Sequence, residues 1–390
     1  MLAYKKKSDP RFLRSVTSHF TCYAFLAPER NKSRLVQPSN LETKMRQLLL
    51  TTCLTVLILA SCIPAIQAPT PAPTFTATPL LTATQLPTST PTLFPTLSPT
   101  PDPYYAWSID YLRSRAYGGE QIEFLEVIGQ NLYFTRYLIR YPSDGLNIYG
   151  FADIPNDEES HPVIIALHGY IDPAVYNTLD YTTHYADALA SAGYIVLHPN
   201  LRGYLPSDGG ENLFRVGMAI DVLNLIALVQ SQSGGTDLLR TASPDHIGLW
   251  GHSMGGGITT RVLTVTDDVK AAVLYAAMSG DELKNYEAIR QWSGQIRGLD
   301  ELNVPVEALN RISAMYFFGN ITAAISIHHG TADATVPLDW SVTTCDQLTV
   351  LGKNVECVYY QDMPHTFYGP GDEEFIQNTV QFFNQKLKEP

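Results

Sequence analysis

Positive charge is scarce in this chain and unevenly placed. Residues 1–46 hold ten of its 26 Lys and Arg but only three of its 38 Asp and Glu, so the rest carries 16 basic against 35 acidic side chains. A surface of that sign repels phosphate, which excludes nucleic-acid binding by the folded part. Charge of either sign is scarce, 16% of 390 residues against 45% hydrophobic. That balance supplies one large domain with a substantial core. There is no internal repeat. Near the N-terminus the run Leu48–Ala60 is largely apolar but too short to cross a bilayer comfortably.

What surrounds that run reads as an export signal. Met45-Arg46-Gln47 gives a basic start, the apolar stretch follows, and Ser61-Cys62 closes it with small residues. Leu59-Ala60-Ser61-Cys62 resembles the bacterial lipobox, in which the cysteine is acylated and becomes the mature N-terminus. Residues 45–62 are therefore expected to export the protein and to anchor it by lipid at Cys62 to the outer face of a bacterial cell membrane. An ordinary signal peptide or a short anchor, with an incidental cysteine, is the alternative. Residues 1–44 carry no structural signal, and translation is expected to begin at Met45. Residues 63–103 are dominated by proline and threonine, with no charge before Asp102. Such a tract buries no core and makes an extended tether.

Cysteine is scarce as well. Of five, Cys22 and Cys53 fall in segments expected to be removed and Cys62 is the lipid site, leaving Cys345 and Cys357. In an exported domain these two either pair as a disulfide or stand as separate buried thiols.

From residue 104 onward the pattern is regular. Strand-like segments fall at about 121–128, 131–141, 146–154, 162–168, 193–198, 246–250, 271–276, 324–329 and 355–361. The early ones follow one another through tight turns such as Ser143-Asp144-Gly145. The later ones alternate with helix-like stretches at 180–191, 212–231, 254–265, 338–351 and 372–387. This predicts an α/β domain over 104–390: a mostly parallel, doubly wound sheet of about eight strands with an antiparallel leading edge. Active residues then belong at the carboxyl ends of the strands. Residues 279–322 exceed what one crossover helix needs and are expected to form short helices, either a cap over the site or a packed surface excursion.

The chemistry sits at those strand ends. Gly251-His252-Ser253-Met254-Gly255 follows an apolar strand, so Ser253 is offered at a strand-to-helix turn too crowded for side chains at Gly251 and Gly255. His329-Gly330-Thr331-Ala332-Asp333 closes a later strand, and His365 follows the last. Serine, acid and histidine thus occur in the order used by α/β-hydrolases. Ser253 is the expected nucleophile, His365 its base and Asp333 the orienting acid. Competing acids are weaker: Asp339 lies inside a helix, Asp362 is too near His365 along the chain, and Asp208 precedes the serine. Backbone N–H groups of Met254 and, within about one residue, Tyr170 are expected to receive the developing oxyanion. His252 is expected to pack or hydrogen-bond locally, and His168 to shape the loop before Tyr170. His328 and His329 lack the spacing of a metal site.

Together these segments resemble the catalytic domain of the prolyl oligopeptidase family. The resemblance rests on Tyr141-Pro142-Ser143-Asp144-Gly145-Leu146, His198-Pro199-Asn200-Leu201-Arg202-Gly203-Tyr204, the Ser253 elbow continuing to Gly256, His329 to Asp333 with Val336-Pro337, and Pro364-His365. It implies the same fold and triad, and cofactor-free hydrolysis of peptide or ester acyl bonds. Two departures stand out. Members that cleave after proline carry a large β-propeller, whereas about thirty residues separate the tether here from the first matching strand. The oxyanion segment reads His168-Gly169-Tyr170 rather than His-Gly-Gly-Pro, and Asn200 stands where aspartate is usual. A carboxylesterase or dienelactone-hydrolase-like enzyme is the alternative, and a non-enzymatic surface binding protein on the same scaffold the third reading.

Overall fold

The computed structural model describes residues 102–388. The expected N-terminal extension, the signal segment, Cys62 and nearly all of the tether lie outside the described residues.

Three strands open the sheet as an antiparallel meander: β1 (Glu123–Gln130), β2 (Phe134–Ser143) and β3 (Leu146–Pro155). Asp144 and Gly145, both at positive φ, make the two-residue turn whose twist matches the strands it joins. Six more follow: β4 (His161–Leu167), β5 (Ile195–Pro199), β6 (Ala242–His252), β7 (Val269–Tyr275), β8 (Ala324–Gly330) and β9 (Val355–Tyr360). All nine form one sheet in the order β1-β2-β3-β5-β4-β6-β7-β8-β9, with β3 antiparallel to β5 and with β5, β4 and β6 to β9 parallel to one another. Each of the nine strand-like segments of the sequence thus becomes a strand of this one sheet, one more than the eight or so expected.

The central strands are buried on both faces, and their side chains alternate between two cores. Val163, Ile165 and Leu167 of β4 join one hydrophobic cluster while Ile164 and Ala166 join the other. The second cluster is closed by α2 (Thr183–Ser191) and by α8 (Gly369–Phe383), which contributes Phe375, Phe382 and Phe383. The first is covered by α1 (Ile109–Ser114), α3 (Val216–Gln232), α4 (Met254–Val265), α6 (Val306–Ile312) and α7 (Leu338–Val350). Each large apolar side chain withdrawn from water this way contributes roughly 1.5–3 kcal/mol. Residues 213–232 are long and apolar enough to cross a membrane, but they are mostly buried in this core.

Several boundaries moved, two of them for a plain physical reason. The β6 strand begins at Ala242 rather than near 246, because Ser243, Pro244 and Asp245 continue the strand despite their polarity. The last helix begins at Gly369 rather than 372, with Pro370 in its first turn, where a missing N–H costs nothing. Cys345 and Cys357 form a disulfide between α7 and β9, with Cα atoms 6.4 Å apart.

Successive crossovers run in opposite directions from the middle of the sheet: β4 leads to β5 on one side, and β6 onward to the other. The loops leaving β4 and β6 therefore part at a topological switch point, where open α/β sheets place their sites.

Candidate active site

Ser253 stands between β6 and α4 with φ 53° and ψ −113°, a conformation that costs about 1–3 kcal/mol and persists only where its surroundings enforce it. They do so through the backbone. Ser253 N donates to Tyr275 O at 2.9 Å, and Ser253 O accepts from Met278 N at 3.0 Å and Gly257 N at 3.1 Å. A side chain on Gly255 would strike Leu167 O and His168 O, so glycine lets α4 start directly against the end of β4; Gly251 faces Gly255 and Thr259 at the same crossing. Met254 is the first residue of α4, and its N–H has no carbonyl one turn earlier to meet.

Asp333 and His365 arrive from the loops after β8 and β9. His365 Nδ1 donates to Asp333 Oδ2 at 2.7 Å. Asp333 Oδ1 accepts from Thr335 N at 2.8 Å and Val336 N at 2.9 Å. His329 Nε2 lies 3.1 Å from Asp333 Oδ2, and its Nδ1 meets Ser341 Oγ at 2.7 Å. Burial pushes the Asp333 carboxyl up, but the hydrogen bonds from His329 and His365, and then the His365 charge, hold it well below the usual carboxylate range. His329 is thus a second partner of the acid, a role that the sequence reading missed; its place four residues before Asp333, at the end of the same strand, was the available signal. His328 faces the opposite side of β8, against Tyr360 Oη and Ser326 Oγ, and burial lowers it to about 3. Among the described residues no group of three or more His, Cys, Asp or Glu is placed to hold a metal ion.

The His365 loop meets the elbow through His252, whose ring centroid is 4.7 Å from that of His365 and whose Nε2 donates to His365 O at 3.0 Å. On its other side Nδ1 of His252 is 2.5 Å from Tyr181 Oη. Burial and the neighbouring His365 lower His252 to about 3. Gly169, after β4, lies against the nucleophile: a side chain there would come within 3.1 Å of Ser253 Cβ. Its N–H donates to Tyr181 Oη at 3.0 Å. His168 is buried between Gly169 O at 2.7 Å and Asn200 O at 2.9 Å, as expected of a residue that shapes the loop. Asn200 uses its amide to donate to Thr178 Oγ1 and Leu205 O. An aspartate could not donate to Leu205 O, so asparagine here ties the loops after β4 and β5 together.

The 279–322 insertion contains α5 (Glu282–Trp292), α6 and two 3₁₀ turns. Its base is pinned by buried Glu282, which pairs with Arg261 of α4 and with Arg215. Its outer turn reaches the loop after β4: the Arg297 guanidinium lies 4.6 Å over the Tyr170 ring and 3.5 Å from Asp172. Tyr170 is half exposed at that contact.

A strained serine elbow at the switch point of a mainly parallel sheet, with a buried acid–histidine pair beside it, defines a serine hydrolase of the α/β-hydrolase fold. The profile of the prolyl oligopeptidase family matches residues 180–390, more than half of the chain. The chain belongs to that family.

Among individual proteins, the Danio rerio lysophosphatidylserine lipase ABHD12 is 26% identical over 151 residues, 34% of this chain and 36% of the relative. This chain therefore spans well under half of that relative's length. Among solved structures, the acylaminoacyl peptidase of Pyrococcus horikoshii superposes with a TM-score of 0.53 at 24% identity, covering 66% of this chain and 42% of the peptidase. Acetyl xylan esterase 1 of a Thermoanaerobacterium species gives 0.53 at 17%, covering 72% and 92%. At these identities the structures bear on the fold alone.

Proposed function

We propose that Ser253, His365 and Asp333 form a catalytic triad that hydrolyses peptide or ester acyl bonds through a covalent acyl-enzyme. The observation that carries the reading is the 2.7 Å pair of His365 and Asp333, packed through His252 against the strained elbow that carries Ser253. Ser253 Oγ attacks the acyl carbon while His365 Nε2 takes its proton and then gives it to the leaving amine or alcohol. Water, deprotonated by the same nitrogen, releases the acid and restores the serine. Asp333, accepting from Nδ1, fixes the tautomer and stabilises the imidazolium that forms in between.

The carbonyl oxygen turns negative in each tetrahedral intermediate. Met254 N–H, at the positive end of α4, is one donor to it. On the facing loop Gly169 N–H is occupied by Tyr181. The second donor is therefore Tyr170 N–H.

Membership of the prolyl oligopeptidase family supports amide cleavage, and the lipase among the relatives supports esters as the second reading. The test is kcat/KM on matched esters and peptide amides, Xaa-Pro amides included, with Ser253→Ala as control. Serine-dependent amide turnover establishes a peptidase, ester turnover alone a carboxylesterase, and turnover by Ser253→Ala overturns the mechanism. We further propose that residues 45–62 direct export and that acylated Cys62 anchors the enzyme to the membrane, the 63–103 tether holding it clear. Full-length protein should partition into a detergent phase and Cys62→Ser should not; equal partitioning overturns the anchor.

A further inference from the structure

We propose that Tyr181 and His252 are positioning residues, which join the oxyanion loop to the catalytic histidine through one directed string of hydrogen bonds. The inference rests on the triad reading above. The string runs Gly169 N–H to Tyr181 Oη at 3.0 Å, Tyr181 Oη–H to His252 Nδ1 at 2.5 Å, and His252 Nε2–H to His365 O at 3.0 Å.

Its direction is forced from both ends. A backbone N–H can only donate, so Tyr181 Oη accepts at Gly169 and has its proton free for His252. A carbonyl can only accept, so His252 carries its proton on Nε2 and presents a bare Nδ1 to the tyrosine. The two ends therefore demand the same neutral tautomer. Burial reinforces it: His252 is held neutral down to about pH 3, and desolvation keeps the proton on Tyr181. A second bond secures the same loop, since Tyr275 Oη accepts from Phe367 N at 2.5 Å, two residues beyond His365.

What the string sets is relative position. Gly169 precedes the proposed oxyanion donor, and His365 supplies the base. Both move with respect to Ser253 unless something spans the elbow between them. His252 is next to the nucleophile in the chain and spans it, with its ring 5.5 Å from Tyr181 and 4.7 Å from His365. A displacement of about 1 Å in such a site can cost a hundredfold in rate.

Three substitutions separate positioning from packing. Tyr181→Phe keeps the ring and removes both bonds at Oη. His252→Gln keeps an amide donor near Nε2 for His365 O, and His252→Asn keeps only a partner near Nδ1. With p-nitrophenyl acetate as substrate, kcat should fall about ten- to a hundredfold in Tyr181→Phe and His252→Asn, with KM within about twofold. His252→Gln should recover part of the loss, and the Tyr181→Phe, His252→Asn double variant should be no slower than His252→Asn alone. Wild-type kcat in Tyr181→Phe overturns the proposal, and so do equal losses in His252→Gln and His252→Asn that track their melting temperatures. If His252→Asn does not fold, Tyr181→Phe decides alone. Ser253→Ala is run in parallel. Turnover there removes the triad reading and this inference with it, whereas an inert Ser253→Ala beside a fully active Tyr181→Phe removes this inference only.

Discussion

Two buried acids, one in the loop after β8 and one at the base of the insertion, show how the same carboxylate serves different ends. Asp333 is surrounded by two histidines and two backbone N–H groups. Glu282 is surrounded by two guanidiniums, those of Arg215 and Arg261. A guanidinium does not give up its proton in a protein, so Glu282 can only hold. An imidazole does, so Asp333 holds a group that is able to work. Chemistry is thereby kept on the strand ends, and the insertion is fixed at its base with its outer turn against the loop after β4.

The comparison breaks most sharply at the proposed triad. Ser253→Ala should abolish turnover while the melting temperature changes little, and Asp333→Asn should cost about ten-thousandfold in kcat, as in the well-studied serine protease triad. Unchanged kcat in Asp333→Asn would move the acid elsewhere. Glu282→Ala should behave in the opposite way. Removing one partner of a buried ion pair costs about 3–5 kcal/mol, because the arginines are left charged and unpaired. Urea unfolding should therefore show a large loss of stability, while kcat per folded molecule stays near wild type. A stable Glu282→Ala protein with lost turnover would reverse the roles assigned to the two acids.

Acid should discriminate between them more gently. His198, His252 and His328 are lowered to about 3, each mainly by burial, from an ordinary value of 6.5. As pH falls below 6.5 the unfolded chain takes up protons that the folded one refuses, so stability drops toward pH 3. Asp333, held below the carboxylate range, adds to the loss at the acid end. Asp153, pushed up to about 6 chiefly by burial against its bond with Arg136, opposes it, as does Asp221. With His168, which burial also lowers, four histidines and Asp333 outnumber the two. Urea midpoints should decline from pH 7 to pH 4, and a flat profile would contradict this account. The guanidiniums of Arg215 and Arg261 keep their charge throughout that window.

Much of the architecture was legible because the central strands are buried on both faces and therefore read as unbroken apolar runs. The positions of Ser253, Asp333 and His365 followed from what lies just past such runs. Pairing of Cys345 with Cys357 was one of two open readings, since only the packing of α7 on β9 decides the distance. Three features were out of reach. Tyr181 meets His252 across 71 residues of chain, and no local pattern marks a tyrosine whose hydroxyl bridges two loops. Arg261 reads as an ordinary polar residue of an amphipathic helix until Glu282 is brought beside it. Asn200 looked like a departure from the family pattern, and its amide bond to Leu205 O gives the departure a physical reason.

The smallest expected effect tests the insertion at its outer turn. Arg297 is half exposed, and its contact with Asp172 is a long 3.5 Å between solvated groups, a pairing usually worth less than about 1 kcal/mol. Its stacking on Tyr170 at 4.6 Å adds about as much at a wet site. Arg297→Ala should therefore leave stability within about 1 kcal/mol of wild type, because Glu282 anchors the insertion from the other end. Tyr170 is at once the platform for Arg297 and the residue whose N–H is assigned to the oxyanion. Freeing its ring changes how substrate enters more than how it reacts, so KM should shift a few-fold, and by different factors for short and bulky acyl groups, at nearly constant kcat. A fall in kcat at constant KM would mean that Arg297 helps to hold the oxyanion donor itself, and the insertion would then belong to the chemistry rather than to selection.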